Sequence, residues 1–586
     1  MSTPASPHPA NDVFVNIALG GLVAVAVLGL LLRVAGSITA FLTGHEQPGG
    51  DLTAGIGVLT SPLDPGTPLA APGLNPIVYW VIVVLLLAVA GAAVAAVWRF
   101  VTRGRGRIDP RQLQGAATGS EIATVASPRA LLKRAGTFRP SLTAAEPGDV
   151  GYLLGTSRGR QVWATVEDSI LLIGPPRSGK GLHIVVNSIL DAPGAVVTTS
   201  TRPDNLTVTL RARQKRGPVA VFDPQRIAPG LPAGLRWSPV RGCEDPLTAM
   251  IRAAGLSSAT SFGSVSGGDF WQGKTSAAIQ GLLHAAALDH RDAASLYSWA
   301  LSPTSAGDAV RILQSSPDAA EGWAESLESM LQSDPRTRDS IWQGVSLAFS
   351  ALADPRVLDA VSPRPGEEFD PERFLTDNGT LYLLATGAGA GASASLVAAF
   401  IEDLVEVARK MAARSPGTRL DPPLLLALDE IGNLAPLPSL PTLMAEGGGT
   451  GITPLPVLQS LAQAREKWGD NAAAAIWDSS IVKIILGGAS NSRDLQDLST
   501  LIGDRDEITD SVTIGDHGSR SSQRSIRRVP VLPPDILRTM PFGLGVVLLR
   551  TARPIITDLR PWPKRPESDQ LTAGRRDIEA LLRAGS

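Results

Sequence analysis

Eight residues, Gly174–Gly181, read GPPRSGKG and lie between the apolar run Ile170–Ile173 and the helix-like segment Leu182–Leu190. That placement constrains the fold more than any other feature of the chain. A strand that turns through glycines into a helix leaves several backbone N–H groups pointing at one spot, and the positive end of the helix dipole points there too. Such a loop cradles a phosphate, and a lysine at the position of Lys180 reaches the β- and γ-phosphates of a nucleotide. The candidate cradle is Gly174, Pro175, Pro176, Arg177, Ser178, Gly179, Lys180, Gly181 and Leu182. In one respect the run departs from the usual pattern. Where a Ser or Thr hydroxyl normally helps to hold Mg²⁺, this chain has Gly181. Chance occurrence is the competing reading, because the chain holds 59 glycines.

The context of the loop argues against chance. Strand-like runs at 162–166, 169–173, 195–199, 218–222, 380–386, 424–428, 452–458 and 481–486, most of them short and continuously apolar, alternate with helical stretches. That pattern predicts a parallel sheet covered on both faces. Between about 245 and 373 the periodicity is helical throughout, which predicts an all-α insertion. With 586 residues, several domains are expected. The fold class read from these runs is an α/β P-loop NTPase core, split by an all-α insertion domain and preceded by two N-terminal membrane helices. The predicted boundaries are a membrane anchor over 1–103, a linker over 104–145, and a first part of the nucleotide-binding domain over 146–244. The insertion follows over 245–373, the second part of the nucleotide-binding domain over 374–565, and a C-terminal tail over 566–586.

Downstream, PPLLLALDE places Asp429 and Glu430 at the tip of an apolar strand. A carboxylate there holds Mg²⁺, the role assigned to Asp429, and a second one polarises the water that attacks the γ-phosphate, the role assigned to Glu430. The alternative is an ordinary buried strand whose acids cap the next helix. The following apolar run, 452–458, ends at Gln459, which is positioned to sense the γ-phosphate from the neighbouring strand tip or simply to hydrogen-bond at a strand end. The expected catalytic set is Lys180, Asp429, Glu430 and Gln459, and the expected cofactors are ATP and Mg²⁺.

Two segments lack any charge: Val13–Leu32, of 20 residues, and Pro76–Trp98, of 23. Each suffices to span a bilayer. No Lys or Arg precedes Val13, so the basic flank of a signal peptide is missing. Arg99, Arg103, Arg105, Arg107 and Arg111 crowd the end of the second segment, whereas 33–75 carries only Arg33, at the outer end of the first helix. The positive-inside rule then predicts a two-span protein of the cell membrane, with an outward loop at 33–75 and the bulk of the chain cytoplasmic.

Other features say less. The net charge of −2 advertises no nucleic acid, and one cysteine, Cys243, excludes a disulfide framework. In Ser200–Asn205 (STRPDN), Arg202 and Asp204 either act at a strand tip or cap a helix. In Gly268–Lys274 (GDFWQGK), Phe270 and Trp271 read as packing anchors. The basic stretch Arg520–Arg528 reads as a solvated loop.

Taken together, these residues resemble the type IV secretion coupling proteins of conjugation, the TraG/TraD-like family, in its actinobacterial form. The carriers are the glycine-ended loop GPPRSGKG, the run LLLALDEIGNLAPLPSL, the run GITPLPVLQSLAQAREKWG, Asn491–Asp504 with the preceding IILGGAS, and the closing LPPDILRTMPFGLGVVLLRTARPIITDLRPWPKR. The resemblance implies a RecA-like P-loop NTPase domain, assembled as a homo-hexamer with ATP at subunit interfaces and DNA in a central channel. It also implies relaxase or relaxosome proteins and type IV secretion channel proteins as partners, with protein substrates as a further class. The family commonly carries an Arg in the segment before the last of these strands. Here that segment is EGGGTG, Glu446–Gly451, and Arg465 and Arg493 are the substitutes considered. Two alternatives stay open from the residues: a double-stranded DNA translocase of the septal type, and a nucleotide-binding docking platform with little turnover.

Overall fold

A computed structural model describes residues 9–49, 52–103, 109–231, 234–258, 268–385, 391–514 and 520–585. Arg105, Arg107 and the strand-end Thr386 lie outside the described residues. The chain divides into two compact units, Met1–Ile108 and Asp109–Ser586.

In the first unit, helices Pro9–Thr43 and Pro76–Arg103 are long and apolar enough to cross a membrane. Only 11% of the apolar stretch of the second is buried, which sets it apart from a core helix. The first helix continues past Leu32 to Thr43, so Arg33 sits inside the helix and not at its end. Nothing between Val34 and Thr43 breaks a helix, since the stretch holds no proline, and a long arginine stem tolerates an apolar surround while its head reaches outward. The connection packs on the helices through Val58, Leu69, Ala71 and Leu74. The Tyr79 hydroxyl donates to the Leu32 carbonyl (2.9 Å) and the Trp80 indole to the Pro62 carbonyl (2.8 Å).

The second unit is built on one sheet. Its strands, in chain order, are β1 (Gly151–Ser157), β2 (Arg160–Thr165), β3 (Ile170–Ile173), β4 (Val196–Ser200), β5 (Val219–Phe222), β6 (Thr380–Leu384), β7 (Leu424–Leu428), β8 (Ile452–Leu458), β9 (Val482–Leu486), β10 (Asp504–Ile514), β11 (Arg520–Pro530), β12 (Leu544–Leu549) and β13 (Ile555–Leu559). Among the described residues, eleven of them form the order β2-β1-β13-β12-β9-β3-β8-β7-β4-β6-β5, and β10 and β11 form a separate hairpin. From β9 to β5 all neighbours are parallel, whereas β12, β13, β1 and β2 add an antiparallel flank. The stretch read as a solvated loop, Arg520–Arg528, is strand β11. In this two-stranded ribbon Ile508 and its cross-strand partner Ile526 are both exposed, so apolar residues gain little burial there and the sequence lacks the alternation of a half-buried strand.

The parallel strands are apolar because helices cover both faces. All five residues of β7 are buried, and each fully buried leucine there contributes about 1.5–3 kcal/mol. Strand β8 is central yet carries Pro454 and Pro456, which lack a donor. The Leu458 carbonyl accepts from Gly174 N on the β3 side, and Pro454 and Pro456 share its parity. Their missing N–H groups thus fall on that side, where pairing with β3 begins only at Val457.

One face holds a core that runs from the sheet into helices, with Leu282, Leu283, Leu296, Val345 and Phe349 fully buried. Among the described residues from β5 to β6, no strand occurs and helices follow one another. Four of them start at an Asp-Pro pair. The side chains of Asp245, Asp334, Asp354 and Asp370 each accept from a backbone N–H of the first turn while the proline fills the first helical position. On the other face, Ile184, Val185 and Ile189 pack with Ile122, Leu131 and Phe138, so the stretch read as a linker contributes to the core from Ala117 onward.

Candidate functional site

Strand β3 delivers the glycine-rich run to the edge of the sheet, and Gly174 N donates to the Leu458 carbonyl at 3.0 Å, tying the loop to the tip of β8. Arg177 (φ 63°) and Gly179 (φ 89°) both take left-handed backbone. At Gly179 a side chain is strained by that backbone and crowded as well, because a Cβ would lie 2.6 Å from His183 Nδ1 and 2.9 Å from Phe542 Cε2. The chain then enters a wide π-helical turn, Gly181–Val185, followed by the helix Val186–Asp191. The imidazole of His183 lies 3.0 Å from the Gly179 carbonyl, and burial pushes its pKa down.

Sheet order puts the acids beside this loop. β8 runs between β3 and β7, so Gln459 stands at the strand tip between the loop and the pair Asp429–Glu430. Burial lowers the pKa of Lys180, while the Asp429 and Glu430 carboxylates act on it in the opposite sense. Burial pushes Asp429 up to about 6; the Asn205 amide opposes this, Glu430 adds to it and Lys180 opposes it. One oxygen of Asp429, Oδ2, accepts from Asn205 Nδ2 at 3.2 Å, and its carbonyl accepts from Thr199 Oγ1 at 2.7 Å. The other, Oδ1, is buried and has no hydrogen-bond partner among the described residues. A buried carboxylate oxygen left without a donor beside a phosphate cradle suits a hard divalent cation.

Glu430 is not an ordinary helix cap. It immediately precedes helix Ile431–Leu434 in left-handed backbone (φ 53°), and its side chain makes no capping bond. Its Oε2 instead accepts from Thr201 Oγ1, at the tip of β4. A non-glycine residue held in this conformation costs on the order of 1–3 kcal/mol, and such residues cluster at functional sites. Backbone N of Gln459 donates to Gln463 Oε1 (2.9 Å), and Gln463 Nε2 donates to Asn433 Oδ1 (2.7 Å), which ties this strand tip to the helix after Glu430.

On the far side of the loop, a cavity of about 320 Å³ is lined by Pro175, Arg177, Gly488, Arg538 and Phe542. Phe542 is 66% exposed and meets the His183 ring edge-on, with centroids 5.0 Å apart.

The structure thus gathers Gly174–Leu182, Lys180, Asp429, Glu430 and Gln459 at adjacent strand tips. It does not gather Arg202 and Asp204, which are exposed and pair with each other at 3.6 Å. From the same STRPDN phrase, Thr201 and Asn205 reach the acids instead. The available signal was position: both flank the β4 tip, next to the β7 tip. Phe270 is 57% exposed, with Lys274 over its ring, while Trp271 packs on the core. Arg465 is held by Asp494 at 2.6 Å, and Asp494 in turn caps the helix Leu461–Trp468. Arg493 is exposed and makes no ion pair among the described residues.

Comparison with known proteins adds three findings. Residues 423–542 match the family model "TraM recognition site of TraD and TraG". Among solved structures, the chain is similar to the bacterial conjugative coupling protein TrwBdeltaN70 in a trigonal form with sulphate. That match has 16% identity and a TM-score of 0.50, and covers 74% of this chain and 93% of that one. The plasmid coupling protein TrwB in complex with ADP and Mg²⁺ matches at 17% identity and TM-score 0.49, covering 74% and 93%. VirB4 of Thermoanaerobacter pseudethanolicus matches at 13% identity and TM-score 0.40, covering 72% and 98%. No curated protein matches the chain. The likeness to the first of these structures is one of fold, an α/β P-loop architecture.

Proposed function

We propose that this chain, which belongs to the TraG/TraD family of type IV secretion coupling proteins, is a membrane-anchored ATPase that drives a DNA substrate toward a secretion channel during conjugation. The observation that carries this reading is the buried, unpartnered Oδ1 of Asp429 beside the loop that bears Lys180.

In this reading the backbone N–H groups of Gly174–Leu182 wrap the phosphates, and the Lys180 ammonium neutralises β- and γ-oxygens. Asp429 holds Mg²⁺, which when bound offsets the charge that develops on the phosphates. Glu430, fixed by Thr201, polarises the attacking water, and Gln459 couples the γ-phosphate to the helix Leu461–Trp468. The cavity with Phe542 at its rim takes the nucleoside, stacked on that ring. The two apolar helices anchor the protein in the cell membrane with the bulk of the chain cytoplasmic. Six copies form a ring around DNA, and relaxosome and channel proteins are the partners. The helices of 245–373 act as an insertion domain.

The test uses the full chain purified in detergent. It is expected to hydrolyse ATP faster when single-stranded DNA is added, and Lys180→Ala and Glu430→Gln are expected to remove that turnover. Equal turnover by all three proteins would overturn the motor reading. If double-stranded DNA stimulates and single-stranded DNA does not, the septal-type translocase is the better description.

A further inference from the structure

Gly181 occupies the place where a phosphate loop ordinarily offers a hydroxyl to the metal. Space does not force the glycine. A Cβ built on Gly181 would meet only Asn205 Oδ1, at 3.6 Å, an ordinary contact, whereas at Gly179 a Cβ clashes. The loop has therefore given up a ligand at a position with room for one, and an amide oxygen of another element stands over that position.

Asn205 lies in the first turn of the helix Asp204–Arg213, just past the tip of β4, and is 3% exposed. Its orientation is fixed chemically. Nδ2 donates to Asp429 Oδ2 at 3.2 Å, and an ionised carboxylate only accepts, so the amide oxygen must point the other way, toward Gly181. Among the described residues no donor reaches that oxygen. The buried, unpartnered Asp429 Oδ1 and the Asn205 amide oxygen facing Gly181 thus belong to side chains that hydrogen-bond each other beside the phosphate loop. A side-chain amide oxygen is a hard, neutral donor like a serine hydroxyl, so exchanging one for the other leaves the charge of a Mg²⁺ site unchanged.

We propose that Asn205 supplies, through Oδ1, the Mg²⁺ coordination position that the loop hydroxyl fills elsewhere. The proposal rests on the nucleotide-site reading above. A purely positioning role, in which Asn205 only orients Asp429, is the rival. A serine at 181 is both a metal ligand and a hydrogen-bond donor, so its rescue fits either role, and direct contact between the metal and the Asn205 amide oxygen is what separates the two.

The experiment measures binding of a fluorescent ADP analogue to the full chain in detergent, first in EDTA and then across a Mg²⁺ titration. Asn205→Ala is expected to bind ADP in EDTA as the wild type does, yet to need about ten- to hundredfold more Mg²⁺ for its half-maximal gain in affinity. Adding Gly181→Ser to Asn205→Ala is expected to return most of that requirement. An unchanged Mg²⁺ requirement in Asn205→Ala, or a double variant as defective as the single one, overturns the proposal. A probe that needs no variant uses the wild-type chain with asparagine labelled by ¹³C at the side-chain carbonyl. Mn²⁺ bound with ADP is expected to show ¹³C hyperfine coupling, and its absence overturns the ligand assignment. Failure of the wild type to bind ADP at all would instead bring down the nucleotide-site reading beneath it.

Discussion

Two buried carboxylates, Asp403 and Asp429, separate what holds this protein together from what it uses. Asp403, on the helix Gly391–Arg414, is 5% exposed and fully engaged. Its Oδ2 accepts from the Trp237 indole at 3.1 Å and from Arg241 at 2.9 Å, and its Oδ1 faces the buried Arg252 guanidinium at 2.5 Å. Trp237 in turn stacks on Phe400, with centroids 4.7 Å apart and ring planes within 9°. Burial alone would raise the pKa of Asp403, but Arg252, Arg241 and Trp237 hold it below the usual carboxylate range. Asp429 is the opposite case. Burial and Glu430 push it up, Asn205 and Lys180 compensate only in part, and one oxygen has no partner. A fully paired acid is part of the scaffold; an acid left short of one partner at a strand tip fits the cation-holding role proposed for Asp429.

The comparison can be broken by exchanging each acid for its amide. Asp403→Asn leaves Arg252 and Arg241 facing a neutral group in a dry setting, and unfolding of the chain is expected to become easier by about 3–5 kcal/mol. Molecules that remain folded should bind ADP normally, as nucleotide titrations at low temperature can check. Asp429→Asn should reverse both results. Its unfolding stability should match or slightly exceed the wild type, because an amide costs less to bury than a carboxylate. Its Mg²⁺-supported ADP affinity should fall about ten- to hundredfold. An Asp429→Asn variant that unfolds as readily as Asp403→Asn would erase the distinction.

The sequence disclosed the site's centre more fully than its surroundings. Strand β7 was legible because Leu424–Leu428 is an unbroken apolar run after Pro423, and β8 because Ile452–Leu458 follows Gly451 and is apolar apart from Thr453, Pro454 and Pro456. The loop and the acid pair followed from their spacing to such runs. Of the antiparallel flank only β2 stood among the apolar runs, because β1 carries two glycines and alternates weakly, and β12 and β13 are short strands parted by Arg550–Pro554. Asn205 and Thr201 were overlooked in favour of their charged neighbours Arg202 and Asp204. Charge marks chemistry in a sequence, but here the groups that reach the acids are an amide and a hydroxyl, and only the β4–β7 register brings them there. Phe542 stands far along the chain from the phosphate loop and in no periodic relation to it, and only the His183 contact betrays its place.

The smallest expected effects concern pH, and they separate the two acids by sign. Asp403 has a depressed folded pKa, so its stabilisation is complete above the ordinary carboxylate value of 3.8 and is lost as pH falls through the lower folded value. Asp429 has a raised one, so in EDTA the fold gives up stability as pH climbs from 3.8 through about 6 and stays level above. Urea unfolding of the two amide variants against the wild type reads this directly. The gap between wild type and Asp403→Asn should be constant from about pH 5 to 8 and narrow below about pH 4. That between wild type and Asp429→Asn should widen in favour of the variant between about pH 4 and 6, then hold steady. Parallel curves for the two variants would mean that both carboxylates serve the scaffold alike, and the contrast drawn between them would fail.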